Sequence, residues 1–148
     1  MIGTAKMAQP IIRILLAEDN EVVRKSIKRM LNKANDIEVV GEAGDGLETL
    51  QLVEALLPDL LLLDVEMPRL SGIEVAKRLK KKRHKPRILV LSAYNDSGYI
   101  REMLRIGAAG YLIKDEAPDR ILEAVRGVSQ GQVGWVSPQI RARGMQKK

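Results

Sequence analysis

The chain predicts an α/β fold: a doubly wound sheet of five parallel strands flanked by five helices. Three observations lead there. Short apolar runs alternate regularly with segments of helical period, which is the pattern of repeated strand–helix–strand units. One of those runs, Leu60 to Leu63, is four consecutive leucines, as expected of a strand buried on both faces of a parallel sheet. A polar or charged residue also follows each of four strands, and in an open parallel sheet those positions share the edge where ligands bind.

The elements follow in order. Residues 11–17 are apolar except for Arg13 and read as the first strand, ending in Glu18-Asp19-Asn20. From Glu21 the period changes, and Val23, Ile27, Met30 and Leu31 fall on one helical face. Residues 37–43 are a second strand, and Gly44-Asp45-Gly46 is a turn. Residues 47–57 predict a helix whose stripe is Leu47, Leu50, Val53 and Leu57, closed by Pro58. After the leucine strand come Asp64 and then Pro68, which stops regular structure. Ser71 is a suitable N-cap for a helix with Ile73, Ala76 and Leu79 inward. Residues 88–91 form the fourth strand, ending in Ser92, and 97–106 a sparsely apolar helix. Gly107-Ala108-Ala109-Gly110 turns into a last strand, 111–113, followed at once by Lys114. Pro118 opens a final helix carrying Ile121, Leu122, Val125 and Val128.

Composition narrows the function classes. The 148 residues suffice for one compact domain, with 45% hydrophobic and 30% charged residues. The absence of cysteine excludes disulfides and thiolate metal sites, and suits a reducing cytoplasm. The single histidine, His84, lies in the basic stretch 80–87 and reads as solvated rather than catalytic. No apolar segment approaches the ~20 residues of a membrane span. A soluble, cytoplasmic protein without membrane contact is expected. A net charge of +6 favours anionic partners only weakly.

The polar residues at the strand ends form one constellation: Glu18 and Asp19, Asp64, Ser92 and Lys114. Individually each has a bland explanation as a cap, turn or exposed ion. Together they put three carboxylates at one edge, which repel unless a cation joins them. An all-oxygen donor set suits Mg²⁺. A hydroxyl and an ammonium beside it suit phosphoryl oxygens.

The segments Leu16-Ala17-Glu18-Asp19-Asn20, Leu63-Asp64-Val65-Glu66-Met67-Pro68, Leu91-Ser92-Ala93 and Gly110-Tyr111-Leu112-Ile113-Lys114 resemble, in this order, a bacterial response-regulator receiver domain. The resemblance covers about residues 11–130. It implies a CheY-like (flavodoxin-like) fold with strand order 2-1-3-4-5. Gly107-Ala108-Ala109-Gly110-Tyr111-Leu112-Ile113-Lys114-Asp115 is similar to the subgroup that usually precedes a LuxR/NarL-type DNA-binding domain.

The resemblance also assigns roles. Asp64 is the phosphoacceptor; Glu18, Asp19, Asp64 and the backbone carbonyl of Glu66 hold Mg²⁺; Lys114 pairs with phosphoryl oxygens. Ser92 is the switch hydroxyl and Tyr111 the aromatic switch, expected to leave a surface position for a partly buried one. Glu66 and Tyr94 flank the site. Glu18 departs from the more frequent Asp, and Asp115 stands where many members carry proline.

The implied function is two-component signal transduction: a sensor histidine kinase phosphorylates Asp64, and the domain switches an output, with no enzymatic activity beyond Mg²⁺-dependent self-phosphorylation and dephosphorylation. Homodimerisation is the implied readout. Residues 131–148 read as a linker or disordered basic tail with Arg141, Arg143, Lys147 and Lys148, and DNA would be reached only through an output domain absent from the chain. The alternative is a stand-alone receiver acting in a phosphorelay or as an interaction module. A haloacid-dehalogenase-type phosphatase fits less well, because its nucleophile follows the first strand. A flavodoxin-like flavin site fits poorly too, because Glu18-Asp19 would repel a phosphate there.

Overall fold

The computed structural model describes residues 10–93, 97–116 and 118–141, without the side chains of Gln139 and Arg141. The strands are β1 (Ile12–Ala17), β2 (Ile37–Ala43), β3 (Leu60–Leu63), β4 (Arg87–Ser92), β5 (Gly110–Ile113) and β6 (Trp135–Val136). The helices are α1 (Glu21–Asn32), α2 (Gly46–Leu56), α3 (Gly72–Lys80), α4 (Ser97–Ile106), α5 (Pro118–Ser129) and α6 (Pro138–Arg141). All strand pairs are parallel, in the order β2-β1-β3-β4-β5-β6. The expected order 2-1-3-4-5 is therefore present, with one strand added at its end.

Alternation along the strands explains the two layers. Leu61, Leu63, Val90 and Tyr111 face a core closed by Val53 of α2, Val75 and Leu79 of α3, and Ile100 and Met103 of α4. Leu60, Leu62, Leu89, Leu91 and Leu112 face the other core, closed by Leu31 of α1 and by Ile121, Val125 and Val128 of α5. β3 has no exposed residue, because helices cover both of its faces. Its four leucines serve two cores at once.

The helix starts are capped by the side chains of Asn20, Asp45 and Ser71, which accept bonds from the backbone N–H groups of Val23, Glu48 and Glu74. The expected stripe of α2 is only half right. Val53 is buried, but Leu47 and Leu57 are 41% and 59% exposed. The helix ends one residue early, with Leu57 left-handed at φ 48°, so the chain turns away before Leu57 reaches the core.

The larger difference lies after α5. Part of the segment expected as linker packs onto the sheet. The Trp135 N–H donates to the Ala109 carbonyl at 3.1 Å and the Ser137 N–H to that of Tyr111 at 3.3 Å. Val136 and Ile140 are buried in the first core. A two-residue strand carries no periodicity to read, and it is stabilised by the open edge of β5 rather than by its own sequence. Gly110 permits this pairing, since a Cβ there would strike the Trp135 backbone. Arg143, Lys147 and Lys148 lie outside the described residues.

Candidate functional site

The sheet delivers its acids one residue beyond the strands. The Asp64 N–H donates to the Ala17 carbonyl at 3.1 Å, and the Glu18 N–H to the Ala43 carbonyl at 2.9 Å. Each acid is thus fixed by backbone pairing before its side chain makes any contact. The loop after Asp64 is held equally closely. Gly72 N–H bonds the Val65 carbonyl at 2.8 Å, and any Cβ on Gly72 would strike the Asp64 carbonyl. Glycine there lets the start of α3 approach the Asp64 backbone.

At this edge Glu18 and Asp64 are buried, at 2% and 4% exposure, while Asp19 is exposed. Carboxylate oxygens of all three lie within 4.8 Å of one another. Lys114 bridges the two buried acids: its Nζ is 2.6 Å from Glu18 Oε1 and 3.3 Å from Asp64 Oδ2. The second Glu18 oxygen accepts from the Asn20 N–H at 3.0 Å, and Asp64 Oδ1 accepts from the Glu66 N–H at 3.3 Å. Arg24 bonds the Glu18 carbonyl at 2.9 Å through Nη1 and Glu42 at 3.1 Å through Nε.

Burial is the main cause that raises the Asp64 carboxyl to about 6. The neighbouring charge of Lys114 opposes this, Glu18 reinforces it, and the Glu66 N–H opposes it. Burial alone would pull the Lys114 ammonium down. Its bond to Glu18 and the charges of Asp64 and Glu18 outweigh that and hold it above its ordinary value. The site is therefore a buried acid close to its titration range beside a firmly charged amine.

The structure brings together Glu18, Asp19, Asp64 and Lys114, as the sequence leads one to expect. Ser92 ends β4, between the strands that carry Asp64 and Lys114, and is fully buried; its carbonyl accepts from the Lys114 N–H at 2.8 Å. Glu66 is exposed and reaches Asp64 through its backbone N–H. Tyr111 does not occupy the expected surface position. It is 0% exposed, because it faces the first core and β6 covers the outer edge of its strand. Tyr94 lies outside the described residues.

Sequence reasoning missed Ser137 and Glu116. The fully buried Ser137 Oγ accepts from the Ile113 N–H at 2.8 Å and donates to Glu116 Oε1 at 2.5 Å. Glu116 also pairs with Arg120 at 3.2 Å. This ties the segment after α5 to the residues on either side of Lys114. A serine before a proline signals only a turn, so nothing in the sequence marks this contact.

The donor set at the edge fits a hard divalent cation: three carboxylates converge, two of them buried, and only oxygen is offered. No described helix is long and apolar enough to cross a membrane.

Comparison with known proteins gives one consistent result. A family model described as the response regulator receiver domain matches residues 14–126. The transcriptional regulatory protein YxjL of Bacillus subtilis is 39% identical over 121 residues, which are 82% of this chain and 56% of that protein. The nitrate/nitrite response regulator NarL of Escherichia coli is 39% identical over 81% of this chain and 56% of its own length. The chain thus spans about half the length of these curated relatives. Among solved structures, the signal receiver domain of NarL from Mycobacterium tuberculosis superposes with a TM-score of 0.81 at 34% identity, covering 84% of this chain and all of that one.

Proposed function

The chain belongs to the response regulator receiver domain family, of the NarL/LuxR type, and from that premise we propose that Asp64 accepts a phosphoryl group from the phosphohistidine of a sensor kinase. The observation that carries this is the convergence at one sheet edge of a buried Asp64, Lys114 at 3.3 Å and the oxygens of Glu18 and Asp19. Receiver domains are signalling modules rather than enzymes, and the chemistry proposed is confined to the module's own phosphorylation.

One Asp64 oxygen attacks phosphorus in line; the P–N bond to the donor imidazole breaks as the P–O bond forms, and the electron pair returns to the imidazole nitrogen. Asp64 must be ionised to attack, and a carboxyl near 6 is mostly so at neutral pH. Lys114 neutralises an equatorial oxygen, exchanging its contact with Asp64 for one with the phosphoryl group. Glu18, Asp19, Asp64 and the Glu66 carbonyl would hold Mg²⁺, which supplies positive charge against the carboxylates and the phosphoryl oxygens. Glu18 retains the Asn20 N–H throughout, so its orientation does not depend on Lys114.

The Ser92 hydroxyl is assigned to the phosphoryl group once formed. Tyr111, already interior, then adjusts within the core instead of entering it. Residues 11–130 are the receiver unit, carrying residues 135–141 as an appended strand and helical turn. Self-association is the proposed readout. Control of transcription, named for YxjL, is assigned to a DNA-binding module that the matched region does not include.

Incubation with acetyl phosphate and Mg²⁺ is expected to add one phosphoryl group by intact mass, and Asp64→Asn to abolish it. Equal labelling of Asp64→Asn would move the acceptor elsewhere.

A further inference from the structure

The opposite end of the sheet, where β3 and β4 begin, carries a feature that phosphoryl transfer does not use. A groove of about 870 Å³ opens there between the end of α2, the α3–β4 connection and the turn after α5. Its floor is apolar: Leu79, Ile88 and Ile106 line it. Leu57 and Val133, two of the most exposed large aliphatic side chains in the molecule at 59% and 77%, stand on its lips.

The rim is cationic. Lys80, Arg83, Lys85 and Arg87 line the groove against one acid, Asp59, which already accepts from the Arg13 N–H at 2.9 Å. Among the described residues the side chains of Lys85 and Arg87 bond only the carbonyls of Lys80 and Ser129, which leaves their charge without a carboxylate. None of the four rim cations has a carboxylate within ion-pair distance among the described residues. By contrast Lys77, Arg78 and Lys82, nearby on the outer surface, pair with Glu102, Glu74 and Glu54.

We propose that this groove is a docking site for an acidic amphipathic peptide segment of a partner protein. Two chemistries meet in it. Uncompensated cations call for carboxylates, and exposed aliphatic lips over an apolar floor call for aliphatic side chains at helical or strand spacing. A nucleic acid would use the cations but has no use for Leu57 and Val133. Among its described lining residues the groove also offers no Phe, Tyr or Trp ring on which successive bases would stack, only the imidazole of His84. The volume lies within the range of small binding clefts, so a few side chains fill it rather than a whole domain face. Because the groove is at the far end of the strands from Asp64, occupancy does not require the carboxylate cluster.

The test is fluorescence anisotropy on the whole chain with three labelled probes. The first is a Glu/Leu peptide of about three helical turns; the second has the same charge with serine replacing leucine; the third is a short DNA duplex. The Glu/Leu peptide is expected to bind, and to shift backbone amide resonances of residues 57–59, 80–88 and 131–133. Lys80→Glu with Arg83→Glu should weaken it by about tenfold or more. Leu57→Asn with Val133→Ser should weaken it several-fold while leaving the amide spectrum folded; asparagine tolerates the left-handed backbone at position 57. Asp64→Asn should bind as the parent does. No binding of the Glu/Leu peptide, or equal binding of the serine peptide, overturns the proposal. Tighter binding of the duplex that is indifferent to Leu57→Asn and Val133→Ser also overturns it, in favour of nucleic acid.

Discussion

The two ends of the sheet handle charge in opposite ways. At the carboxyl end, Glu18 and Asp64 are almost fully buried and share one amine, Lys114, which is itself only 22% exposed at its side chain. At the amino end, Lys80, Arg83, Lys85 and Arg87 stand in solvent, and none of them has a carboxylate partner among the described residues. Buried charges must be compensated by geometry, whereas exposed ones are compensated by water and salt. The same residue types therefore carry different meanings. Removing a charge at the first end should change the stability of the fold, with a sign that depends on which charge goes, and removing one at the second should disturb only what binds there.

The sharpest test of this contrast is Lys114→Ala. Breaking a fully buried ion pair by deleting one partner costs about 3–5 kcal/mol. Lys114 is partly exposed and Asp64 can take up a proton, so a loss of about 2–3 kcal/mol is expected near pH 7.5 in magnesium-free buffer. At pH 5 the loss should shrink, since protonating Asp64 removes one of the two stranded charges. Urea denaturation at both values measures it. A loss equal at both would show that Lys114 acts through packing rather than charge.

Asp64→Asn should act in the other direction. The carboxyl sits at about 6 in the folded chain against 3.8 for an ordinary aspartate. Between those values the unfolded chain has released the proton and the folded chain has kept it, so this group lowers stability as pH rises from about 4 to about 6. The full separation corresponds to at most about 3 kcal/mol. Asparagine cannot pair with Lys114, so a net gain of about 2 kcal/mol is expected above pH 6, vanishing near pH 4. A gain that does not change with pH would place its cause outside the titration of Asp64.

What could be read from the sequence divides along the same line. The placement of Glu18, Asp19, Asp64 and Lys114 was legible because each lies within two residues of the end of an apolar strand, and parallel strands fix where such residues meet. β3 was legible as an unbroken leucine run. The misread features depend on a local cap geometry in one case and on contacts made from far along the chain in the others. Leu57 looked like the end of a helical stripe, but its outcome depends on a left-handed cap. Tyr111 was expected at the surface through the switch role that the resemblance implies, but it faces the first core and β6 closes the edge of its strand from 25 residues downstream. The Ser137–Glu116 contact has no signature at all, because hydrogen bonding between loops follows from the assembled sheet and not from local pattern.

The smallest expected effect belongs to the amino end. Arg83→Ala and Lys81→Ala remove exposed charges that have no ion-pair partner among the described residues and bury no polar group when deleted. Substitutions of this kind usually change stability by less than about 0.5 kcal/mol. Removing positive charge from a run that contains Lys80, Lys82 and Lys85 also relieves like-charge repulsion, so a slight gain at low ionic strength is expected, fading as salt is added. Thermal denaturation at low and high salt distinguishes the two contributions. If either variant instead lost as much stability as Lys114→Ala, the basic rim would be holding the α3–β4 connection in place, and the two ends of the sheet would not differ in the way their burial indicates.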